Sequence, residues 1–126
     1  MLIKTGQVFQ GSGAVLLDQV YDGNMIPLTQ STVTNINVLS TDLSTNTQIA
    51  TGTLAVNSTM LNAFTVTPLW TSDTIGYNSA GNYAGTYWPT ANTVVQLEVI
   101  YTLEGGETEP SVWHLTVLPL YSQGGD

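Results

Sequence analysis

The stretch Val95-Gln96-Leu97-Glu98-Val99-Ile100-Tyr101-Thr102-Leu103 decides the fold. Val95, Leu97, Val99, Tyr101 and Leu103 alternate with Gln96, Glu98, Ile100 and Thr102, the period-two pattern of a strand with one face in a core. Glu104-Gly105-Gly106-Glu107 follows as a hairpin loop, with glycine available for the special dihedrals of a tight turn. The chain then returns with Trp113, Leu115 and Val117 on one face and His114 and Thr116 on the other, and Pro119 ends the run. One antiparallel hairpin is thus written directly into the residues.

The same grammar extends towards the N terminus. Val8 and Phe9 open a short first segment, closed by Gly11-Ser12-Gly13, and Ala14 to Tyr21 forms a second. Asp22-Gly23-Asn24 is a turn signal, because Gly and Asn tolerate positive φ. Met25 to Leu28 connects it to a strand over Ser31 to Leu39, with Ile36 and Val38 opposite Asn35 and Asn37. Thr41 to Thr47 is a polar turn, and Gln48 to Val56 a strand with Leu54 and Val56 in phase. After a turn at Asn57-Ser58, Phe64, Val66, Pro68 and Trp70 share a face. Thr71 to Gly81 is predicted as a loop, and Asn82 to Trp88 as a return to strand. In this phase Trp70 is inward, Tyr83, Gly85 and Tyr87 share a face, and Trp88 points the other way.

No segment shows helical periodicity, and roughly seven or eight strands fit the spacing. Without helices to carry crossovers, antiparallel pairing is expected. The prediction is an all-β, immunoglobulin-like antiparallel sandwich, with a jelly roll or barrel as the alternative. The length suits one domain spanning residues 1–126. Segments 1–10 and 119–126 carry the apolar Val8, Phe9, Leu120 and Tyr121 near the chain ends and are candidates for ordering against a neighbour, while Ser122 to Asp126 reads as a frayed tail.

Composition narrows function. The chain has one lysine, Lys4, one histidine, His114, no arginine and no cysteine, and carries a net charge of −8. Charged residues make up 8%, against roughly 25% in ordinary soluble proteins. The polar surface must therefore be built from Thr, Ser, Asn, Gln and Gly, which suits packing against other protein or hydrogen bonding to sugars. The charge balance argues against nucleic acid, whose phosphates need Lys and Arg, and against anionic membrane surfaces. No stretch approaches the ~20 apolar residues of a membrane span. Met1-Leu-Ile-Lys4 leads into Thr5-Gly6-Gln7, not a secretory leader, so residence in a cytoplasm, or assembly there, is expected. Asn57-Ser58-Thr59 matches a glycosylation acceptor by chance in that setting.

Catalysis is poorly provisioned, since most sites need a base, a nucleophile or a cation for developing negative charge. His114 has no evident partner, and a metal role would call for a second imidazole or a thiol. Glu104, Glu107 and Glu109 flank a glycine turn, as Asp18 and Asp22 flank another, but the ligand spacing of a calcium loop is absent. A solvated hairpin tip explains them more simply. Gly11-Ser12-Gly13 lacks the lysine and helix of a phosphate loop. No enzyme activity, cofactor or metal is expected. Tyr77 and Trp88 are the candidate exposed aromatics, able to stack on a sugar or anchor a partner. Val8, Phe9, Leu120 and Tyr121 are the candidate terminal contacts.

Several phrases resemble small Ig-like domains of tailed-bacteriophage virion proteins, found as head-decoration, neck, tail and baseplate modules. They are Asp22-Gly23-Asn24-Met25-Ile26-Pro27-Leu28-Thr29, then the strand Ser31 to Val38. Trp70-Thr71-Ser72-Asp73-Thr74-Ile75-Gly76 leads to Gly81-Asn82-Tyr83, and Val117-Leu118-Pro119 closes the pattern. The low charge and the aromatic insert from Tyr77 to Trp88 depart from it. The resemblance implies a non-enzymatic structural protein of a virion, assembled in the bacterial host cytoplasm. It would act through other virion proteins and copies of itself. The alternative is a carbohydrate-binding module taking a glycan on Trp88 and Tyr77.

Overall fold

The computed structural model describes residues 3–65 and 76–120. Eight strands form two sheets: β1 Ile3–Phe9, β2 Ala14–Asp18, β3 Val33–Asp42, β4 Thr47–Leu54, β5 Met60–Thr65, β6 Tyr77–Tyr83, β7 Thr93–Leu103 and β8 Thr108–Leu118. A four-residue helix, α1 Val56–Thr59, carries the chain from one sheet to the other, and a 3-10 turn spans Gly85–Tyr87. The larger sheet runs β1-β8-β7-β3-β4 and the smaller β2-β6-β5. With β2 as strand B and β8 as strand G, these are the GFCC′ and BED sheets of an immunoglobulin-like sandwich. Two separate sheets replace the closed-barrel alternative, and their strand order replaces the jelly roll.

The β7–β8 hairpin is as the alternation dictates. Val95, Leu97, Val99 and Tyr101 are buried, as are Leu115 and Val117 opposite them. Gly106 takes φ +91, and its N–H donates to Leu103 O at 2.9 Å, closing the turn. Ile36 and Val38 of β3 complete the inner face, while Asn35 and Asn37 face solvent.

One pairing departs from expectation. β1 runs parallel to β8, from Ile3↔Val112 to Phe9↔Leu118. A parallel pair needs a long connection rather than a helix as such, and here the whole domain lies between the two strands. Segment 3–9 is therefore ordered by the chain's own β8, and Val8 sits in the core at 4% exposure instead of facing a partner.

The region around Trp88 also differs. Tyr77 to Gly81, expected as loop, is most of β6, and the expected strand stops at Tyr83. The 3-10 turn then resets the side-chain phase, so Tyr83, Tyr87 and Trp88 converge with ring centroids 6.2 to 6.4 Å apart. Trp88 is fully buried, and its Nε1 donates to Ser12 O at 2.7 Å. Gly85 makes this closure possible, because a Cβ there would stand 2.0 Å from Gly11 O. The expectation for Trp70 falls outside the described residues, as do Val66 and Pro68.

The first turn is held by a carboxylate. Asp22 Oδ1 accepts from Asn24 N at 2.8 Å and Ile26 N at 2.9 Å. The residue at positive φ is Met25, at 63°, rather than Gly23 or Asn24. This conformation leaves Met25 and Ile26 exposed at 73% and 58%.

Candidate functional site

The two sheets are tied at one end by a polar bridge. Lys4 of β1 places Nζ 3.0 Å from Asp18 Oδ1 of β2, and donates to Ser111 Oγ of β8 at 2.9 Å. Ser111 in turn donates to Asp18 Oδ2, and Gln19 N donates to Oδ1 at 2.8 Å. Lys4 also lies 5.7 Å from the centroid of the Trp113 ring, a distance at which the ring face attracts a cation. The Asp18 side chain is 4% exposed and that of Lys4 26%, so the carboxylate is a buried charge held by full pairing.

Beside this bridge, Ser79 Oγ of β6 and Tyr101 OH of β7 are 2.8 Å apart, a second link between the sheets. Burial pushes the Tyr101 hydroxyl well above its ordinary pKa; the Ser79 bond acts the other way, and the Asp18 charge adds to the rise. Tyr83 is raised too, first by burial and then by Tyr101 and Asp18. Both hydroxyls remain neutral at physiological pH.

A third polar element shapes the loop in front. Asn78 is buried in β6; its Oδ1 accepts from Val20 N at 2.8 Å, and its Nδ2 donates to Val20 O and Leu28 O, both at 2.9 Å. One amide thus ties the β2–β3 connection to β6, beside the connection's own Tyr21–Pro27 bridge and the Leu28 N–H bond to Val20 O at 3.0 Å. Together these elements enclose a cavity of about 620 Å³. Tyr21, Tyr77 and Tyr101 wall it, the Lys4–Asp18 pair lies at its base, and Asp22 and Glu109 line it from two different segments.

The sequence-predicted contacts do not gather into one site. Tyr77 lines this cavity and is half-buried. Phe9 is 50% exposed at the end of β1, in register with Leu118. Leu120 borders a shallow depression with Gln10 and Pro89 on a different part of the surface. Val8 and Trp88 are interior, and Tyr121 lies outside the described residues. His114 is on the outer face of the large sheet, where its Nε2 is 3.0 Å from Gln96 Oε1, and Gln96 Nε2 donates to Glu98 Oε1 at 3.2 Å. Among the described residues no group of three His, Cys, Asp or Glu is placed to hold a metal ion, and no helix is long and apolar enough to cross a membrane.

The other notable surface is an edge. β4 ends the large sheet, with β3 on one side and no described strand on the other. Natural edges are blunted by charge, proline or inward-pointing lysine. Thr47-Gln48-Ile49-Ala50-Thr51-Gly52-Thr53-Leu54 has none of these, and positions 43–72 carry no Asp, Glu, Lys, Arg or His. Its one interruption is at Ile49, where the register with β3 slips between Ser40 and Thr41, and Ala50 to Leu54 run on in regular pairing. A Cβ at Gly52 would stand 2.1 Å from Tyr87 OH, so β4 is packed tightly onto the core from within. That charge-free run was visible in the sequence; that it forms an edge was not.

Fold and site together define an immunoglobulin-like β-sandwich with a polar bridge at one end and an unguarded strand at one side. No family model, curated protein or solved structure matches the chain.

Proposed function

We propose that this chain is a non-enzymatic structural component of a tailed-bacteriophage particle, a capsid-decoration, neck or tail protein assembled in the bacterial host cytoplasm. It works through contacts with other virion proteins and with copies of itself. The observation that carries this reading is the β4 edge. Among the described residues no strand pairs with its outer side, so its backbone groups are complementary to those of another strand, and no charge along it repels one. A second copy paired antiparallel across a two-fold axis would extend the five-stranded sheet through an isologous contact. The rest of the molecule is acidic, which keeps other faces of two copies apart. Composition supports a non-catalytic role, because the one lysine is committed to Asp18 and the one histidine to Gln96.

A glycan-binding role is less supported. Of the two aromatics it would stack on, Trp88 is interior and only Tyr77 borders a cavity.

Quantitative mass spectrometry of purified phage particles, scaled to the major capsid protein, tests the reading. High copy number would assign a decoration or shell position, and low copy number a neck or tail position. Absence of the chain from particles would overturn the proposal.

A further inference from the structure

We infer that the cavity between the β2–β3 connection and β8 is a docking pocket for a lysine or arginine side chain of a different protein. The charge balance is the first argument. Three carboxylates, Asp18, Asp22 and Glu109, line the cavity against one ammonium, Lys4. Lys4 and Asp18 neutralise each other at the base. Asp22 and Glu109 are left, and the chain has no second Lys or Arg to offer them. They lie close together along the wall: a Cβ on Gly23, next to Asp22, would be 3.9 Å from Glu109 Oε2.

The lining is the second argument. Tyr21 and Tyr77 line the cavity with aromatic side chains, which attract a cation through the ring quadrupole. Leu17, Val20 and Pro110 fill much of the remainder. A charged head on a long aliphatic stem fits such a mixture, with the stem against apolar wall and the head at carboxylates and ring faces. A bare metal ion does not. Asp22 Oδ1 already accepts two backbone N–H groups, and no metal-holding group of three ligands is present among the described residues.

The rim is the third. Met25, 73% exposed, lines the cavity, and Ile26, 58% exposed, is its neighbour on the Asp22 turn. Exposed apolar residues beside a pocket mark contact with protein rather than with a free small cation. Met adapts to irregular partner surfaces. The occupant is not a second copy, whose one lysine is bound to its own Asp18. This pocket is therefore independent of the β4 edge, and it calls for a heterologous partner.

The test is NMR titration of the labelled protein with a blocked pentapeptide, Ala-Leu-Lys-Leu-Ala, its arginine and norleucine counterparts, and choline. Saturable shifts at Tyr21, Met25 and Tyr77 are expected with the lysine and arginine peptides, and none with norleucine. The double variant Asp22→Asn/Glu109→Gln should weaken binding at least tenfold. Asn keeps an oxygen for the Asn24 and Ile26 N–H groups, so the turn survives, and Glu109→Gln alone serves as a second variant that leaves the turn untouched. Equal binding of the norleucine peptide, unchanged affinity in both variants, or shifts spread over Glu98 and Glu104 would overturn the inference. Choline binding as tightly as the peptides would also overturn it, in favour of a free-cation site. Self-association of the double variant should match the parent, so this result and that for the β4 edge are read separately.

Discussion

Lys4 and Asp18 stand 3.0 Å apart across the gap between the two sheets, and they join the first strand to the interior of the sandwich. Breaking a buried pair by removing one partner strands the other charge, whereas replacing both with apolar groups is often neutral. Lys4→Met should cost about 3 kcal/mol, the low end of the range because the lysine is partly exposed. Lys4→Met/Asp18→Leu should recover most of that loss. Urea denaturation of the single and double variants measures the difference. A double variant as unstable as the single would show that the bridge stabilises by more than mutual neutralisation.

Asn78 leads to a second expectation. Its amide supplies three hydrogen bonds to a connection whose own backbone pairing is limited to the Tyr21–Pro27 bridge and the bonds beside it. Asn78→Leu keeps the branched shape but leaves the Val20 N–H and the Leu28 carbonyl without that partner, while Val20 O keeps its bond from Leu28 N. A cost of about 3 kcal/mol is expected, since each buried group left unpaired costs ≈ 1–3 kcal/mol. Hydrogen exchange should show the loss first in residues 19–28. Unchanged protection there would mean that the connection is held by something other than Asn78.

These residues show how far the sequence could be read. The β7–β8 hairpin was legible because Val95, Leu97, Val99 and Tyr101 on the inner face of β7, with Leu115 and Val117 on β8, are apolar or aromatic, so alternation and burial coincide there. β6 was not, because three of its four buried positions are Asn78, Ser79 and Gly81, with only Tyr83 large and aromatic, and the partners Val20, Leu28 and Tyr101 are remote in sequence. Trp88 was misplaced for a different reason: the strand ends at Tyr83, and the 3-10 turn breaks the two-residue count. The parallel β1–β8 pair could not be derived from local pattern, since pairing of the two chain ends is a property of the closed sandwich. Asp18 did carry a signal. It falls in phase with Leu16 on the inner face of β2, and a carboxylate there must find a cation. In a chain with one lysine, that partner was already named.

Tyr101 sets an expectation for alkaline pH. Its hydroxyl is held above the usual tyrosine value by burial, with Ser79 opposing and Asp18 adding. The unfolded chain releases that proton near pH 10, so above about pH 10 the unfolded state binds fewer protons than the native state and stability falls with pH. Below that pH the contribution is fully present. Tyr101→Phe orphans the Ser79 hydroxyl and should cost about 1–2 kcal/mol at neutral pH, yet its stability should decline less steeply above pH 10. Tyr83 retains its own share of the slope. Denaturant midpoints followed from neutral to strongly alkaline pH check this; parallel curves for variant and parent would remove Tyr101 as a titrating group.

The β4 edge gives the last expectation. Thr51 and Thr53 are exposed on it and sit opposite Leu39 and Asn37 of β3. Lysine at an edge is a natural means of blocking strand addition, because a second strand would have to desolvate the ammonium or face its like. In a two-fold antiparallel pair centred at Gly52, position 51 of each copy faces position 53 of the other, so Thr51→Lys/Thr53→Lys places four ammonium groups along one seam. Unfolding midpoints should move little, since surface substitutions of this kind stay within about ±0.5 kcal/mol. Self-association should fall at least tenfold, read by sedimentation velocity across a concentration series. Thr5→Lys on β1, at the opposite edge of the same sheet, is the control and should leave association unchanged. Equal loss from both edges would mean that added positive charge acts through the molecule's overall field, and β4 would then have no special claim as the seam.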